Sequence, residues 1–366
     1  MKLVPLLLVA AVSYACTAAA ADTVQVYGLL DVGVERINNI GADGSGVTRM
    51  SNLTGGQFPS RIGFRGKEQI EPGLAAVYVL ESGIAPTTGS LLQSGRLFGR
   101  QAFVGLQSEW GTLSLGRHWT MAFFSLTDAD VIGPASFSLY ALDTYPANAR
   151  VDNSISYKGK FQNWTVGATY SLGRDTLPPG NCAGERGGRS CTEWSALARY
   201  DTGTWGMALA VDELRGGGGA FAVIPGRIPV AAPSSSDYDR RIFLNGYLKF
   251  GQAKVGGGLV HRQIRAATDI TTDLYFFGGS YPITAAVSVD AQFSTIRNSD
   301  MNADASMTVL RANYALSKRT SLYGLIGHVN NQGTASYSVS VSSISPASPA
   351  AGAGQTGLMI GMRHVF

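Results

Sequence analysis

Hydrophobic and polar residues alternate along most of the chain, in segments of roughly ten residues. In residues 164–172 every second position is apolar or aromatic, and the positions between are Thr, Gly or Ser. Residues 24–34, 151–158, 241–250 and 285–294 show the same alternation. A period of two places successive side chains on opposite faces of a β-strand. The pattern therefore predicts an all-β chain whose strands have one apolar and one polar face.

Short and long connections alternate between these segments. The seven short turns are residues 71–73, 109–111, 159–163, 202–204, 250–252, 281–283 and 317–319. The eight long loops are residues 37–59, 85–97, 119–150, 174–192, 215–238, 266–270, 298–304 and 331–354. A soluble sandwich or propeller would not segregate loop lengths in this way. The layout predicts a sixteen-stranded antiparallel transmembrane β-barrel with short periplasmic turns and long extracellular loops.

Composition supports a barrel and excludes two other classes of protein. Glycine accounts for 46 of 366 residues and charged residues for only 15%, yet the hydrophobic fraction is 45%. The chain is too apolar for a disordered protein and too polar for a helical membrane protein. One strand face in lipid and one in water average to a mean hydropathy of +0.07. The net charge of +4 indicates no nucleic-acid partner.

Residues 1–21 have the pattern of a secretory signal peptide. Lys2 supplies a positive start, residues 3–12 form an apolar run, and residues 17–21 offer small residues for cleavage. The alternative is a short buried helix. We expect an exported chain in which residues 22–366 form a single barrel domain.

Two cysteines remain beyond the signal peptide, in a stretch rich in Pro and Gly. Cys182 and Cys191 are close in sequence, and this spacing in an exported protein predicts a local disulfide. A metal site is the rival interpretation, but no histidine lies near and two thiolates are half of a zinc site. We expect no metal and no cofactor.

Seven strings lie in order along the chain: residues 26–31 (VYGLLD), 60–66 (SRIGFRG), 80–82 (LES), 99–106 (GRQAFVGL), 111–117 (GTLSLGR), 153–157 (NSISY) and 357–366. Together they resemble the general porins of beta-proteobacteria, a trimeric sixteen-stranded group that includes the neisserial porins. The resemblance implies a homotrimer in the outer membrane, in contact with its lipid and lipopolysaccharide. Phe366 resembles the terminal residue that the outer-membrane assembly machinery reads.

The resemblance also implies that the third long loop, residues 119–150, folds into the barrel and narrows the pore. The default for any single loop is a solvated surface position. The loop contains Asp128, Asp130 and Asp143 and no basic residue before Arg150. Family members often have Gln and then a short acidic segment after the Gly-Arg pair that ends residues 111–117, whereas this chain has His118–Trp119–Thr120. The difference affects the expected acidic side of the constriction.

The second predicted strand carries three cations on one face. Arg61, Arg65 and Lys67 occupy odd-numbered positions and so lie on one face of the strand, whereas Ile62 and Phe64 lie on the other face. A cation that faces lipid at the midplane costs about 2–4 kcal/mol. We therefore expect these three side chains to line water.

Further lumen residues follow from the resemblance. Arg100 and Arg150 align with arginines that contribute to the constriction in this family, and parity places Arg100 at a strand end. Asp31 and Glu35 are expected as acidic lumen residues. For each arginine the alternative is structural pairing with Asp31, Glu35 or Glu81.

A basic wall that faces an acidic loop would create a transverse field favouring small anions. We predict a channel for passive diffusion of small hydrophilic solutes and ions, with a mild anion preference. The alternatives are a substrate-selective channel or a surface interaction protein, and the Ser-, Ala- and Pro-rich segment 338–354 is expected to be exposed. An enzyme is not expected, because the four histidines are well separated and no G-x-S-x-G elbow occurs.

Overall fold

The structure, a computed structural model, describes residues 23–51, 59–174, 182, 187–222, 229–341 and 347–366. The predicted signal peptide, residues 1–21, lies outside these ranges. No helix in the described ranges is long and apolar enough to cross a membrane.

Within the described residues, sixteen antiparallel strands form the wall of a closed barrel, which confirms the predicted fold. We number them β1 to β16: Thr23–Ile40, Arg61–Glu71, Leu74–Ala85, Gln101–Ser108, Gly111–Trp119, Arg150–Phe161, Trp164–Ser171, Glu193–Asp201, Trp205–Arg215, Tyr238–Phe250, Ala253–Arg265, Ile270–Pro282, Val287–Arg297, Ala305–Ala315, Thr320–Asn331 and Gln355–Val365. Strand β16 pairs with β1, from Val365 opposite Leu29 to Gly357 opposite Ile37. Every wall strand therefore has two neighbours, as a strand that crosses a membrane requires.

The described loops also contain short elements. They are strands Ser45–Ser51, Ser90–Leu91, Ala220–Phe221 and Val230–Ala231, helices α1 (Leu92–Gly95) and α2 (Met121–Leu126), and 3-10 turns Leu139–Ala141 and Ser299–Met301. Strand Ser45–Ser51 pairs with the loop end of β1, where β2 does not reach. The predicted loop 37–59 is thus partly wall, because β1 extends to Ile40 and needs a partner there.

The outer face of the wall is apolar. Val24, Val104 and Ile360 are among its large hydrophobic side chains and are well exposed on the isolated chain. At the short-turn end, the Tyr200 ring lies 5.1 Å from the Trp164 ring and 5.3 Å from the Trp205 ring. Such aromatic groups are typical of the girdle at a lipid–water interface.

The loop 119–150 lies inside the barrel and packs against the inner face of one side of the wall. Its side chains Met121, Ile132 and Phe137 are fully buried and form an apolar core with inward residues of the wall strands. Glycines on the wall allow the close approach. A Cβ atom on Gly278 would lie 2.6 Å from Val131, and one on Gly357 would lie 2.6 Å from Phe137.

The last long loop also turns inward over its described part. Val339 and Ser340 are buried, and the Ser340 hydroxyl donates to Glu35 Oε2 at 2.9 Å. The expectation that 338–354 is exposed is therefore wrong for this part, because these side chains cover the inner face near β1 and β16. Residues 342–346 lie outside the described ranges.

A disulfide and the contacts of the last residue complete the fold. Cys182 and Cys191 form a disulfide, with a Cα–Cα distance of 5.6 Å, in the loop between β7 and β8. Phe366 exchanges two backbone hydrogen bonds of 3.1 Å with Gly28, and its ring covers the Gly28 Cα. The end of the chain is thereby joined to β1 at the seam of the barrel.

Candidate functional site

Strand β2 places Arg61, Arg65 and Lys67 on the inner face of the wall. The Arg65 Nε donates to Gln25 Oε1 at 2.8 Å, and the Lys67 Nζ donates to Gln107 Oε1 at 2.8 Å. Both side chains are exposed to the lumen. In the part of the chain that the structure describes, neither Arg65 nor Lys67 pairs with a carboxylate.

Three arginines join into one group, which we name the arginine cluster: Arg61, Arg100 and Arg150 with Glu81 and Trp119. Glu81 accepts from Arg100 Nε at 2.6 Å and lies 3.3 Å from Arg61 Nε. The Trp119 ring is shared, since Arg150 lies 3.7 Å and Arg100 lies 5.2 Å from its centroid. Cation–π contacts and one carboxylate thus hold three guanidinium groups together. The expectation that Arg100 and Arg150 line the pore is therefore corrected, because both are buried among these partners, whereas Arg61 is partly exposed.

Arg117 keeps the outward parity of β5, since it pairs with Ala102 across the ladder. The register of β5 and β6 shifts close to it because β6 carries an extra residue there. Arg117 Nη1 lies 2.5 Å from Asp152 Oδ1, and its Nε donates to the Gly99 carbonyl oxygen at 2.8 Å. Arg117 is thus a paired residue at the strand end rather than a lumen cation.

Asp143 anchors the inner loop to the wall opposite the arginine cluster. Its two oxygens accept from Arg241 Nε at 2.8 Å and Nη2 at 3.2 Å, a bidentate arrangement. Burial alone would raise the pKa of Asp143, but the guanidinium groups of Arg241 and Arg262 hold it below its ordinary value. Arg241 is nearly fully buried and also pairs with Asp239 at 3.1 Å.

The other two loop carboxylates also turn to the wall. Asp130 is buried, its Oδ1 accepts from the Gly133 amide at 3.0 Å, and burial raises its pKa. Asp128 pairs with Arg199 at 2.8 Å and is partly exposed. The expected acidic face across the pore from Arg61 and Arg65 is therefore corrected: these carboxylates fasten the loop, because β8 to β14 offer buried partners.

Asp31 and Glu35 lie on the inner side of β1 but are covered. Asp31 Oδ1 accepts from the Tyr323 hydroxyl at 2.6 Å, and Glu35 Oε1 accepts from Arg49 Nε at 2.7 Å. Both carboxylates are fully buried. They stabilise the wall near the seam, and water in the channel does not reach them.

Sequence reasoning missed most of the groups that hold the loop. The Tyr145 hydroxyl lies 2.7 Å from Glu193 Oε1 and 2.8 Å from Asp212 Oδ1. Arg311 donates to two backbone carbonyls of the loop, those of Ile132 and Val131, at 2.7 and 3.0 Å. The signal that the sequence offered was the set of charged residues at inward-facing positions of β8 to β14. A wall that faces only water does not need these charges, so their presence indicates buried partners.

The described residues contain no group of three or more His, Cys, Asp or Glu side chains placed to hold a metal ion. What the arrangement offers is a passage. The loop packs on one side of the wall, and the cations Arg65 and Lys67 of β2 and Lys158 of β6 line the other side. Charge on a water-filled wall acts on ions by electrostatic attraction and repulsion.

Comparison with known proteins agrees with this arrangement. The family model described as Gram-negative porin matches residues 7–334. Outer membrane porin protein 32 of Delftia acidovorans is 27% identical over 361 residues, which cover 95% of each chain. An outer membrane porin protein of Bordetella pertussis is 28% identical over 365 residues, covering 87% of this chain and 91% of the relative.

A solved structure, the anion-selective porin from Comamonas acidovorans, superposes with a TM-score of 0.80 at 24% identity. The superposition covers 94% of this chain and 100% of that one, and it shows the shared fold. With the family match and the closed barrel together, the chain belongs to the Gram-negative porins and forms a water-filled diffusion channel in the outer membrane.

Proposed function

We propose that this porin passes small hydrophilic solutes and ions with a preference for anions. The observation that carries the proposal is the set of exposed lumen cations with no carboxylate partner among the described residues, Arg65 and Lys67 on β2 and Lys158 on β6. The arginine cluster adds three guanidinium groups and a single carboxylate, that of Glu81. The structural neighbour from Comamonas acidovorans is itself described as anion-selective, which supports the proposal.

The electric field in the channel has a different origin from the transverse field that the sequence predicted. No acidic face of the loop opposes the basic wall among the described residues, because Asp130 and Asp143 are buried against other strands and Asp128 pairs with Arg199. The wall therefore contributes positive potential without a matching negative surface. Such a potential raises the local concentration of anions and lowers that of cations. Since the Debye length is about 10 Å at 0.1 M salt, we expect the preference to weaken as salt increases.

The test is the reversal potential in planar bilayers under a KCl gradient, with the double variant Arg65→Gln/Lys67→Gln. We expect wild type to favour chloride and the double variant to lose several-fold in its anion-to-cation permeability ratio. Lys318→Gln is the matched control, because Lys318 is an exposed cation on a short turn, outside the lumen. A reversal potential that is the same in wild type and the double variant would contradict the proposal.

We further propose a homotrimer whose outer faces contact lipid and lipopolysaccharide, and assembly through recognition of Phe366. The family match supports this assembly, and a related porin structure from Vibrio cholerae is described as a trimer form. Since its relatives are channels, we propose that this chain has no enzymatic activity.

A further inference from the structure

The lumen has a cavity of about 570 Å³ between helix α2 and the wall strands β2 to β6. It lies on the short-turn side of the arginine cluster, since Lys67 follows Arg61 toward the turn after β2. Lys158 likewise lies near the short-turn end of β6. The volume is within the usual range of small-molecule sites, about 300–1,000 Å³.

One side of this cavity is cationic. Arg65, Lys67 and Lys158 line it, and no Asp or Glu of the described chain does. Lys67 donates to Gln107, an amide that brings no charge to offset it. Lys158 Nζ lies 4.1 Å from the centroid of the Phe124 ring. Lys158 and Gln107 both pair with Thr112 across β5, so both lysines reach the same level of the wall.

The other side of the cavity is apolar and aromatic. Val79 and Phe103 project from the wall, and Phe124 projects from helix α2. The Phe103 ring stacks on His118 with a centroid distance of 4.7 Å, which fixes its orientation. An inorganic anion would use only the cationic side, and a neutral ring would use only the apolar side. A flat ring that carries a carboxylate would use both.

We propose that this cavity is a binding site for aromatic monocarboxylates, with the carboxylate at Lys67 and Lys158 and the ring against Phe103 and Phe124. This inference rests on the proposed anion preference, because the solute must first enter a positive lumen. It goes further because it names the class of solute and the cavity in which that solute binds. Ring stacking and charge pairing in the same cavity should hold the solute long enough to interrupt ion flow.

The experiment is single-channel recording in constant KCl with sodium benzoate added at increasing concentration. We expect transient block of the current that saturates with benzoate. Acetate, which has the charge without the ring, and benzyl alcohol, which has the ring without the charge, should block far less. Block by benzoate no stronger than by acetate would overturn the inference.

Variants locate the site. Phe124→Ala and Lys158→Gln should each raise the half-blocking concentration of benzoate about tenfold, equivalent to about 1.4 kcal/mol. Lys160→Gln is the matched control, since Lys160 lies two residues further along β6 and does not line the cavity. Retained block in both Phe124→Ala and Lys158→Gln would overturn the site. Because Phe124 is on the loop, Lys158→Gln tests the site without a change in the loop itself.

Reversal potentials from the same membranes separate the two proposals. An anion preference without benzoate block would reject this site and leave the proposed function standing. Absence of anion preference would reject the proposed function, whatever benzoate does.

Discussion

Asp143 and Arg241 are 98 positions apart in sequence, yet they form a bidentate, buried link between the inner loop and the wall. A buried charge is tolerable only when it is paired and hydrogen-bonded. Arg241 meets this condition through Asp143 and Asp239 and lies over the Tyr145 ring at 4.3 Å. Removing one partner of such a set leaves a buried charge without full compensation, which is more costly than losing a surface pair.

We therefore predict that Asp143→Ala lowers the free energy of unfolding by about 3 kcal/mol or more and makes the open-channel current noisier. The loop would lose its bidentate anchor. Because Arg241 and Arg262 lower the pKa of Asp143, its contribution is complete above about pH 4 and is lost only as the pH falls through that lowered pKa. Urea unfolding in lipid vesicles and bilayer recordings measure the two effects of the substitution, and both effects should be the same at pH 7 and pH 5, which lie above the lowered pKa.

Asp128→Ala is the control for this prediction. Asp128 pairs with Arg199 in a partly exposed position, so its loss should cost about 0–1 kcal/mol. Equal destabilisation by the two substitutions would show that burial of the Asp143 pair does not matter.

At this scale the sequence predicted some side-chain positions and could not predict others. Parity within one strand assigned Arg65 and Lys67 to the inner face, because a regular strand carries that information locally. It could not show what Arg117 contacts, since its partner Asp152 lies on β6 next to a register shift. The direction of Asp143 depends on a partner in β10, and no local pattern encodes that pairing.

The loop 119–150 and its facing glycines form the element that sets the shape of the passage. Gly256 of β11 lies directly under Ala129, and a Cβ atom there would overlap the Ala129 carbonyl oxygen. The obstacle is backbone rather than a flexible side chain, so the loop itself would have to move. The high glycine content that the sequence showed thus has a second origin besides turns: it marks where the loop touches the wall.

Gly256→Ala should displace the loop toward the channel, with a lower single-channel conductance and a destabilisation of about 1–3 kcal/mol. Gly279→Ala is a matched control, because the nearest atom to an added Cβ there is 3.7 Å away. Single-channel conductance of the two variants in KCl checks the prediction. It fails if Gly256→Ala conducts as well as Gly279→Ala.

Closure of the whole barrel depends on the seam between β16 and β1. There the Phe366 ring covers Gly28, where an added Cβ would lie 2.5 Å from the ring carbon Cζ and 2.6 Å from the Arg61 carbonyl oxygen. The number of strands and the alternation of turns and loops were predictable from sequence, because both follow from strand length and period. The partial strand Ser45–Ser51 was not, since it completes the wall only where β2 falls short.

Gly28→Ala is expected to reduce the fraction of chains that close. On gels of unheated samples, a larger share should migrate as in boiled samples. Gly324→Ala supplies the comparison, because the nearest atom to its added Cβ is 3.9 Å away. If Gly28→Ala folds as completely as Gly324→Ala, packing at the seam does not determine whether the barrel closes.

The cations of the passage and the anchors of the loop lie in different stretches of the chain. Arg61, Arg65, Lys67 and Lys158 lie within residues 61–161, whereas Glu193, Asp212, Arg241 and Arg311 lie within residues 193–315. Substitution of these four cations can therefore alter which solutes pass without removing a wall residue that holds the loop. Such a division offers protein engineers a set of lumen positions at which permeability can be redesigned separately from the attachment of the loop.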